Sequence, residues 1–150
     1  MESIASELSS VIERYISDLR SLSADEFNLK KSPTKWSKKE ILGHLIDSAQ
    51  NNIRRFIVAQ YEDNPKIRYN QDSWVALTGY QQYNLPDLIQ LWWLLNKHIC
   101  HILKNLSPEM AERKSEAEQV HTIAWLAEDY IKHLKHHLHQ ILDLEAVPYS

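Results

Sequence analysis

From Asp129 to Ile141 the chain reads Asp-Tyr-Ile-Lys-His-Leu-Lys-His-His-Leu-His-Gln-Ile, with four histidines, His133, His136, His137 and His139, inside seven residues. Imidazole is the commonest side-chain ligand for metals and the usual proton carrier near neutral pH, so spacing decides what this run can do. Four positions along a helix rotate it by about 40°. His133 and His137 therefore stand one turn apart on one face, able to share an ion at imidazole distances of about 2.0–2.1 Å. Two ligands seldom hold an ion durably, and a third has to come from another element.

On the helical wheel, Ile123, Tyr130, Leu134, Leu138 and Ile141 define the apolar direction. His133 and His137 lie at its edge, where a cleft between helices would place ligands, while His136 and His139 point further round toward solvent. Histidines at a core boundary also serve as plain hydrogen-bonded packing residues. A pair spaced by four without a linked carboxylate is a weaker signature than the zinc-protease motif.

Two sources compete for the third donor. One is the pair His98 and His101, three apart beside a leucine and tryptophan seam; the other is His44, directly after Gly43. His44 groups on its wheel with Ser48, Asn51 and Arg55, opposite Leu42, Ile46, Ala49 and Ile53, which by amphipathicity is the solvent face. That face nevertheless carries short polar side chains suited to a cleft in place of Lys and Glu. Either this helix is buried on more than one side, or His44 is a surface residue and no three-histidine site forms.

Further polar residues flank these positions. Asp129, four before His133, is placed to hold its second ring nitrogen as an outer carboxylate, or else is a solvated acid. Asn51, Arg55 and Gln140 are candidates to line a substrate pocket, the arginine suiting a carboxylate; solvated surface positions are the competing reading. Trp74, Tyr80 and Tyr83 fall in a long connection and would close that pocket, form a subunit contact or simply pack.

Four helices have to position these groups. Ile4, Leu8, Val11, Tyr15, Leu19 and Leu22 recur at spacings of three and four, an amphipathic helix from about Ser3 to Leu22. Ser37 and Glu40 form a capping box that opens a second helix running to about Tyr61. Glu62 to Asn84 is a long connection for a bundle, with room for one short helix, and could roof a pocket at the bundle's end. Asn84 caps a third helix, with Pro86 tolerated in the first turn and a seam of Leu88, Trp92, Leu95, Ile99, Ile102 and Leu106. A polar stretch from Ala111 to Val120 precedes a fourth helix from about Thr122 to Leu144, with Pro148 in a short tail. No segment has the pattern of a strand. Four apolar faces of this length bury one another as a four-helix bundle.

Composition narrows the function. The 150 residues fit one domain, 1–150, large enough to bury a core without staples. A net charge of −3, with scattered basic residues, lacks the concentrated cationic face that nucleic-acid binding requires. Cys100 is the only cysteine, which excludes an internal disulfide and suits the reducing cytoplasm. The first residues lack signal-peptide character. No apolar run approaches the roughly 20 residues of a membrane span, so the expected location is cytoplasmic.

Trp36-Ser37-Lys38-Lys39-Glu40-Ile41-Leu42-Gly43-His44-Leu45-Ile46-Asp47-Ser48, followed by His133-Leu134-Lys135-His136-His137 and Gln140-Ile141, resembles the DinB/YfiT-like superfamily. The resemblance runs along nearly the whole chain and includes Gln71-Asp72-Ser73-Trp74. It implies an all-α, antiparallel four-helix bundle with up-up-down-down connectivity, usually a homodimer. It also implies one divalent ion, with zinc or nickel the first choices, held by His44, His133 and His137. Three neutral imidazoles leave an ion its charge and an open position, as in catalytic sites. The superfamily includes transferases and isomerases that use low-molecular-weight thiols. The implied activity is therefore activation of such a thiol, or of water, for attack on a small-molecule electrophile. The alternative is a metal-binding or structural bundle without turnover.

Overall fold

The computed structural model describes residues 1–149. Its four long helices are α1 (Glu2–Ser21), α3 (Lys38–Val58), α5 (Leu85–Lys104) and α7 (Ile123–Ile141). Short helices α2 (Ala24–Asn28), α4 (Gln71–Thr78) and α6 (Pro108–Ala111) lie in the connections, with a 3-10 turn at Tyr80–Gln82. The long helices form an antiparallel four-helix bundle. α5 packs on both α1 and α3, α7 packs on α3 and more lightly on α1, and α1 and α3 thus occupy diagonal positions.

The periodicities that predict these helices also fill the core. α1 buries Ala5, Leu8, Val11, Ile12, Tyr15, Ile16 and Leu19, and α5 meets them with Leu88, Ile89, Trp92, Ile99 and Leu103. Each large apolar side chain so removed from water contributes about 1.5–3 kcal/mol before the entropy of ordering is set against it. Starts are fixed by side chains that satisfy free amides. Ser37 and Glu40 form a complete capping box for α3, Asn84 caps α5 and Thr122 caps α7. A second capping box, Ser23 with Glu26, starts α2 between α1 and α3.

Two features depart from the sequence expectation. Strands β1 (Lys114–Glu116) and β2 (Val120–Thr122) pair antiparallel where no strand is expected, in the polar stretch that ends at Val120 and the residues just before the fourth helix. Their partners include the α3–α4 connection: Ile67 N–H donates to the Glu116 carbonyl at 2.9 Å, and Glu116 N–H to the Pro65 carbonyl at 2.9 Å. Arg113 adds donations to the carbonyls of Ala59 and Glu62. The hairpin thus clamps the connection and sets Tyr69 to Asp72 beside α3 and α7. The other departure is the C-terminus. α7 ends at Ile141, earlier than Leu144, and the backbone reverses at Asp143, whose φ is 53°. The tail then runs back along α7, with Leu144 N–H donating to the His139 carbonyl at 2.9 Å. No described helix is long and apolar enough to cross a membrane.

Candidate metal centre

α3 is not a one-sided amphipathic helix. His44, Asp47, Ser48, Asn51 and Asn52 are buried along with Leu42, Leu45, Ile46 and Ala49, and His44 keeps only 1% of its surface exposed. Trp36, α5, α7 and the long connection cover α3 on several sides, which resolves the question of His44 in favour of the interior. Gly43 makes that closeness possible. A Cβ built there would lie 2.1 Å from Cδ2 of Tyr80, so the Tyr80 ring sits directly on the helix backbone. The Tyr80 hydroxyl donates to Asp47 Oδ1 at 2.5 Å, fixing the long connection against α3 one turn beyond His44.

His44 meets the α7 pair. Its Nε2 lies 3.0 Å from Nε2 of His133, and its ring centroid is 5.0 Å from that of His133 and 4.9 Å from that of His137. One ligand atom from each of His44, His133 and His137 lies within 4.8 Å of the others, the group of metal-ligating type found among the described residues. Two imidazole nitrogens bound to one tetrahedral ion stand roughly 3.3 Å apart, close to the His44–His133 spacing. His98 and His101 are exposed on α5 and do not join them.

The electrostatics suit ligation. Burial first, and then the neighbouring His137, push His44 down to about 4. His133 is pushed down to about 2, by burial and then by His137, His44 and His136. His137 is lowered by burial and by His136, against a raising contribution from its hydrogen bond to Gln140. All three are neutral at physiological pH, the form that binds a metal. No carboxylate belongs to the group, so a divalent ion there would keep its charge. Nε2 of His44 is the nitrogen that faces His133, and its Nδ1 is buried without a partner among the described residues. The donor set fits a transition metal of borderline softness.

A cavity of about 870 Å3 opens beside His133. Ser48, Asn52 and Arg55 of α3, Tyr69 to Asp72 of the long connection, Glu118, His121, and Trp125, Asp129 and Tyr130 of α7 line it, with Tyr149 of the tail. The long connection therefore does wall a pocket. The flanking candidates fare differently. Arg55 lines the cavity, but its Nε and Nη2 both donate to the Ile67 carbonyl, at 3.1 and 2.8 Å, so much of the guanidinium is engaged in holding the connection. Asn51 does not line it; its amide donates to the Asp47 carbonyl at 2.9 Å. Trp74 packs edge-on against Tyr69 outside the lining. Asp129 does not hold His133: its Oδ2 accepts from the Tyr149 hydroxyl at 2.7 Å, and its place is on the cavity wall. Gln140 also lies outside the cavity, and its side-chain oxygen is 2.8 Å from Nδ1 of His137.

Sequence reasoning misses several residues here. His136 and His139, assigned to the solvent side, clip the returning tail: their Nδ1 atoms donate to the carbonyls of Val147 and Glu145 at 2.6 and 2.7 Å. His121 stacks on Trp125 at 3.4 Å between centroids, and Tyr149 sets its ring 5.2 Å from that of His133. Only the spacing of His121 and Trp125, astride a helix start, carried any local signal.

The chain matches the DinB superfamily over residues 2–141. A protein of Oceanobacillus iheyensis is 34% identical over 115 residues, covering 73% of this chain and 64% of its own length. A protein of Halalkalibacterium halodurans is 26% identical over 128 residues, covering 76% of this chain and 73% of its own. Both are classed provisionally, by name, as metal-dependent hydrolases. The chain thus spans 64% of the length of the Oceanobacillus relative. Among solved structures, YfiT from Bacillus subtilis, described as an unusual four-helix bundle topology, superposes with a TM-score of 0.77 at 21% identity, over 93% of this chain and 84% of that one. A mycothiol-dependent maleylpyruvate isomerase superposes with a TM-score of 0.73 at 15% identity, over 97% of this chain and 61% of that one. At these identities the likeness is one of fold.

Proposed function

We propose, from the premise that this chain belongs to the DinB superfamily, that it is a metal-dependent enzyme in which His44, His133 and His137 hold one divalent ion. The reaction is attack of an activated nucleophile, a small thiol or water, on a small-molecule electrophile. The observation that carries this reading is the convergence of three neutral imidazoles from α3 and α7 beside an open cavity. When bound, such an ion supplies Lewis acidity, lowering the pKa of a water or thiol enough for it to act as a nucleophile at neutral pH.

The chain's own residues supply the rest. Burial keeps the three imidazoles unprotonated and their lone pairs available. The cavity, at about 870 Å3, has room for a thiol co-substrate together with an electrophile. Its walls would hold one with the other beside His133: the rings of Tyr69, Trp125 and Tyr149 offer flat apolar contact, and Asp129 and Arg55 line it with opposite charges. The names of the Oceanobacillus and Halalkalibacterium relatives support the water arm, and the fold shared with a mycothiol-dependent isomerase supports the thiol arm. Imidazole accepts zinc, nickel, iron and copper, so the ion is assigned by elemental analysis.

The deciding experiment is a turnover assay on untagged protein, with electrophilic esters, amides and epoxides, with and without a panel of small thiols, before and after chelation. Metal-dependent turnover that requires a thiol selects transfer, and turnover in water alone selects hydrolysis. A rate indifferent to chelator in both arms overturns the proposal and leaves a bundle without turnover.

A further inference from the structure

The hydrogen bonds around His137 form a directional chain whose polarity is set at one end by a group that can only accept. Val147's backbone carbonyl lies 2.6 Å from Nδ1 of His136, so Nδ1 must carry that ring's proton and Nε2 of the neutral ring is left with a lone pair. Nε2 lies 3.3 Å from the Gln140 amide nitrogen, which donates to it. With its NH2 group so oriented, Gln140 turns its oxygen to Nδ1 of His137 at 2.8 Å, and that nitrogen must be the donor. The lone pair of His137 is then on Nε2, the nitrogen free to join His44 and His133.

We infer that Gln140 is a positioning residue: its amide, oriented by His136 and the tail carbonyl of Val147, fixes His137 in the Nδ1–H tautomer and presents Nε2 to the metal position. A free neutral imidazole divides itself between two tautomers and can rotate about its last side-chain bond. Here both freedoms are removed by one side chain a turn away. The ordering cost of the ligand is met when the chain folds, and metal binding does not have to supply it. The device also explains why a histidine outside the ligand set sits between the ligand's partner and the tail. His139 of α7, 3.0 Å from the Tyr15 hydroxyl of α1, donates to the Glu145 carbonyl and so holds the same tail at a second point, two residues before Val147.

The tautomer belongs to the metal-free protein, and only the effect on affinity rests on the metal-binding proposal above. The test has two readouts on the full chain. A long-range proton–nitrogen correlation spectrum of metal-free protein distinguishes Nδ1–H from Nε2–H rings, and competition with a chromophoric chelator measures zinc affinity. In the parent, His136 and His137 should both be Nδ1–H. Gln140→Ala should give His137 as a mixture and weaken zinc by about 10–100-fold, with thermal unfolding of the metal-free form unchanged, since Gln140 is exposed. Gln140→Glu keeps an acceptor for His137 but cannot donate to His136; it should restore both the His137 tautomer and the zinc affinity. His136→Ala, which frees the amide to turn, should shift both readouts in the direction of Gln140→Ala. Either an Nε2–H His137 in the parent or unchanged zinc affinity in Gln140→Ala overturns the inference. A parent with the expected tautomers that binds none of zinc, nickel, iron and copper overturns the metal proposal alone and supports the role of Gln140 on the ring.

Discussion

A neutral imidazole shielded from water resists protonation, and His44, His133 and His137 are all held that way. Proton linkage gives the consequence. In the unfolded chain an imidazole takes a proton near pH 6.5, whereas folded His44 does so only at about 4. Below about pH 6.5 the unfolded state therefore binds more protons, and the stability that these rings contribute at neutral pH is lost as pH falls. Each ring protonated only in the unfolded state contributes a slope of about 1.4 kcal/mol per pH unit. Asp47, pushed up to about 6 by burial, has the opposite sign, because it binds its proton more readily when folded. One carboxyl opposes three imidazoles, so urea midpoints of metal-free protein should drop between about pH 7 and pH 5; a midpoint that holds or rises there would show that the rings are solvated. Metal stoichiometry tests the ligand assignment at the same scale. His44→Ala, His133→Ala and His137→Ala should each lose most of about one ion per chain, while His98→Ala and His101→Ala, on the exposed face of α5, should retain it.

At the scale of elements, α3 is the helix whose behaviour could not be deduced from its own sequence. α1, α5 and α7 bury the stripes that their periodicity marks. In α3 the wheel places His44, Ser48, Asn51 and Arg55 opposite the apolar stripe, yet the first three are buried, because Trp36, Tyr80 and α7 reach that side from distant parts of the chain. Amphipathicity assumes that polar means solvated; here polar means covered by groups that hydrogen-bond or could share an ion. The hairpin was illegible for another reason: strands of three residues such as Lys114–Glu116 offer no alternation to count. Gln140 was locally legible, being three residues from His137 and four from His136, but a spacing cannot show which of two neighbours an amide serves. Gly43 is the point where α3 depends most on tertiary packing. A methyl there would meet the Tyr80 ring at 2.1 Å, and Tyr80 is tethered to Asp47. Gly43→Ala should therefore cost about 1–3 kcal/mol or more despite the better helix propensity of alanine. At roughly 2–4 °C per kcal/mol in a chain of this size, the loss is measurable by thermal unfolding. Tyr80→Phe separates the two contributions: it keeps the ring and removes the donor to a buried carboxyl, for an expected loss of about 1–3 kcal/mol.

For the whole molecule, the three clustered histidines tie together parts of the chain that local structure cannot connect. His44 and His133 are 89 residues apart, on α3 and α7, and the ring of contacts among the four long helices closes through that pair of elements. An ion shared by the three histidines exists only when both helices are docked, since the unfolded chain does not hold the three rings together. It must then stabilise the fold by mass action, by about 2.7 kcal/mol at a free metal concentration 100 times the dissociation constant. Converted at roughly 2–4 °C per kcal/mol, that is a rise of about 5–10 °C in the unfolding midpoint, growing with the logarithm of metal concentration. Zinc added to chelator-treated protein should produce this rise in the parent and in His98→Ala, and should produce none in His44→Ala, where α7 keeps its pair but the bridge is gone. A rise of equal size in His44→Ala would mean that the ion sits on α7 alone, a two-ligand surface site that does not join the helices.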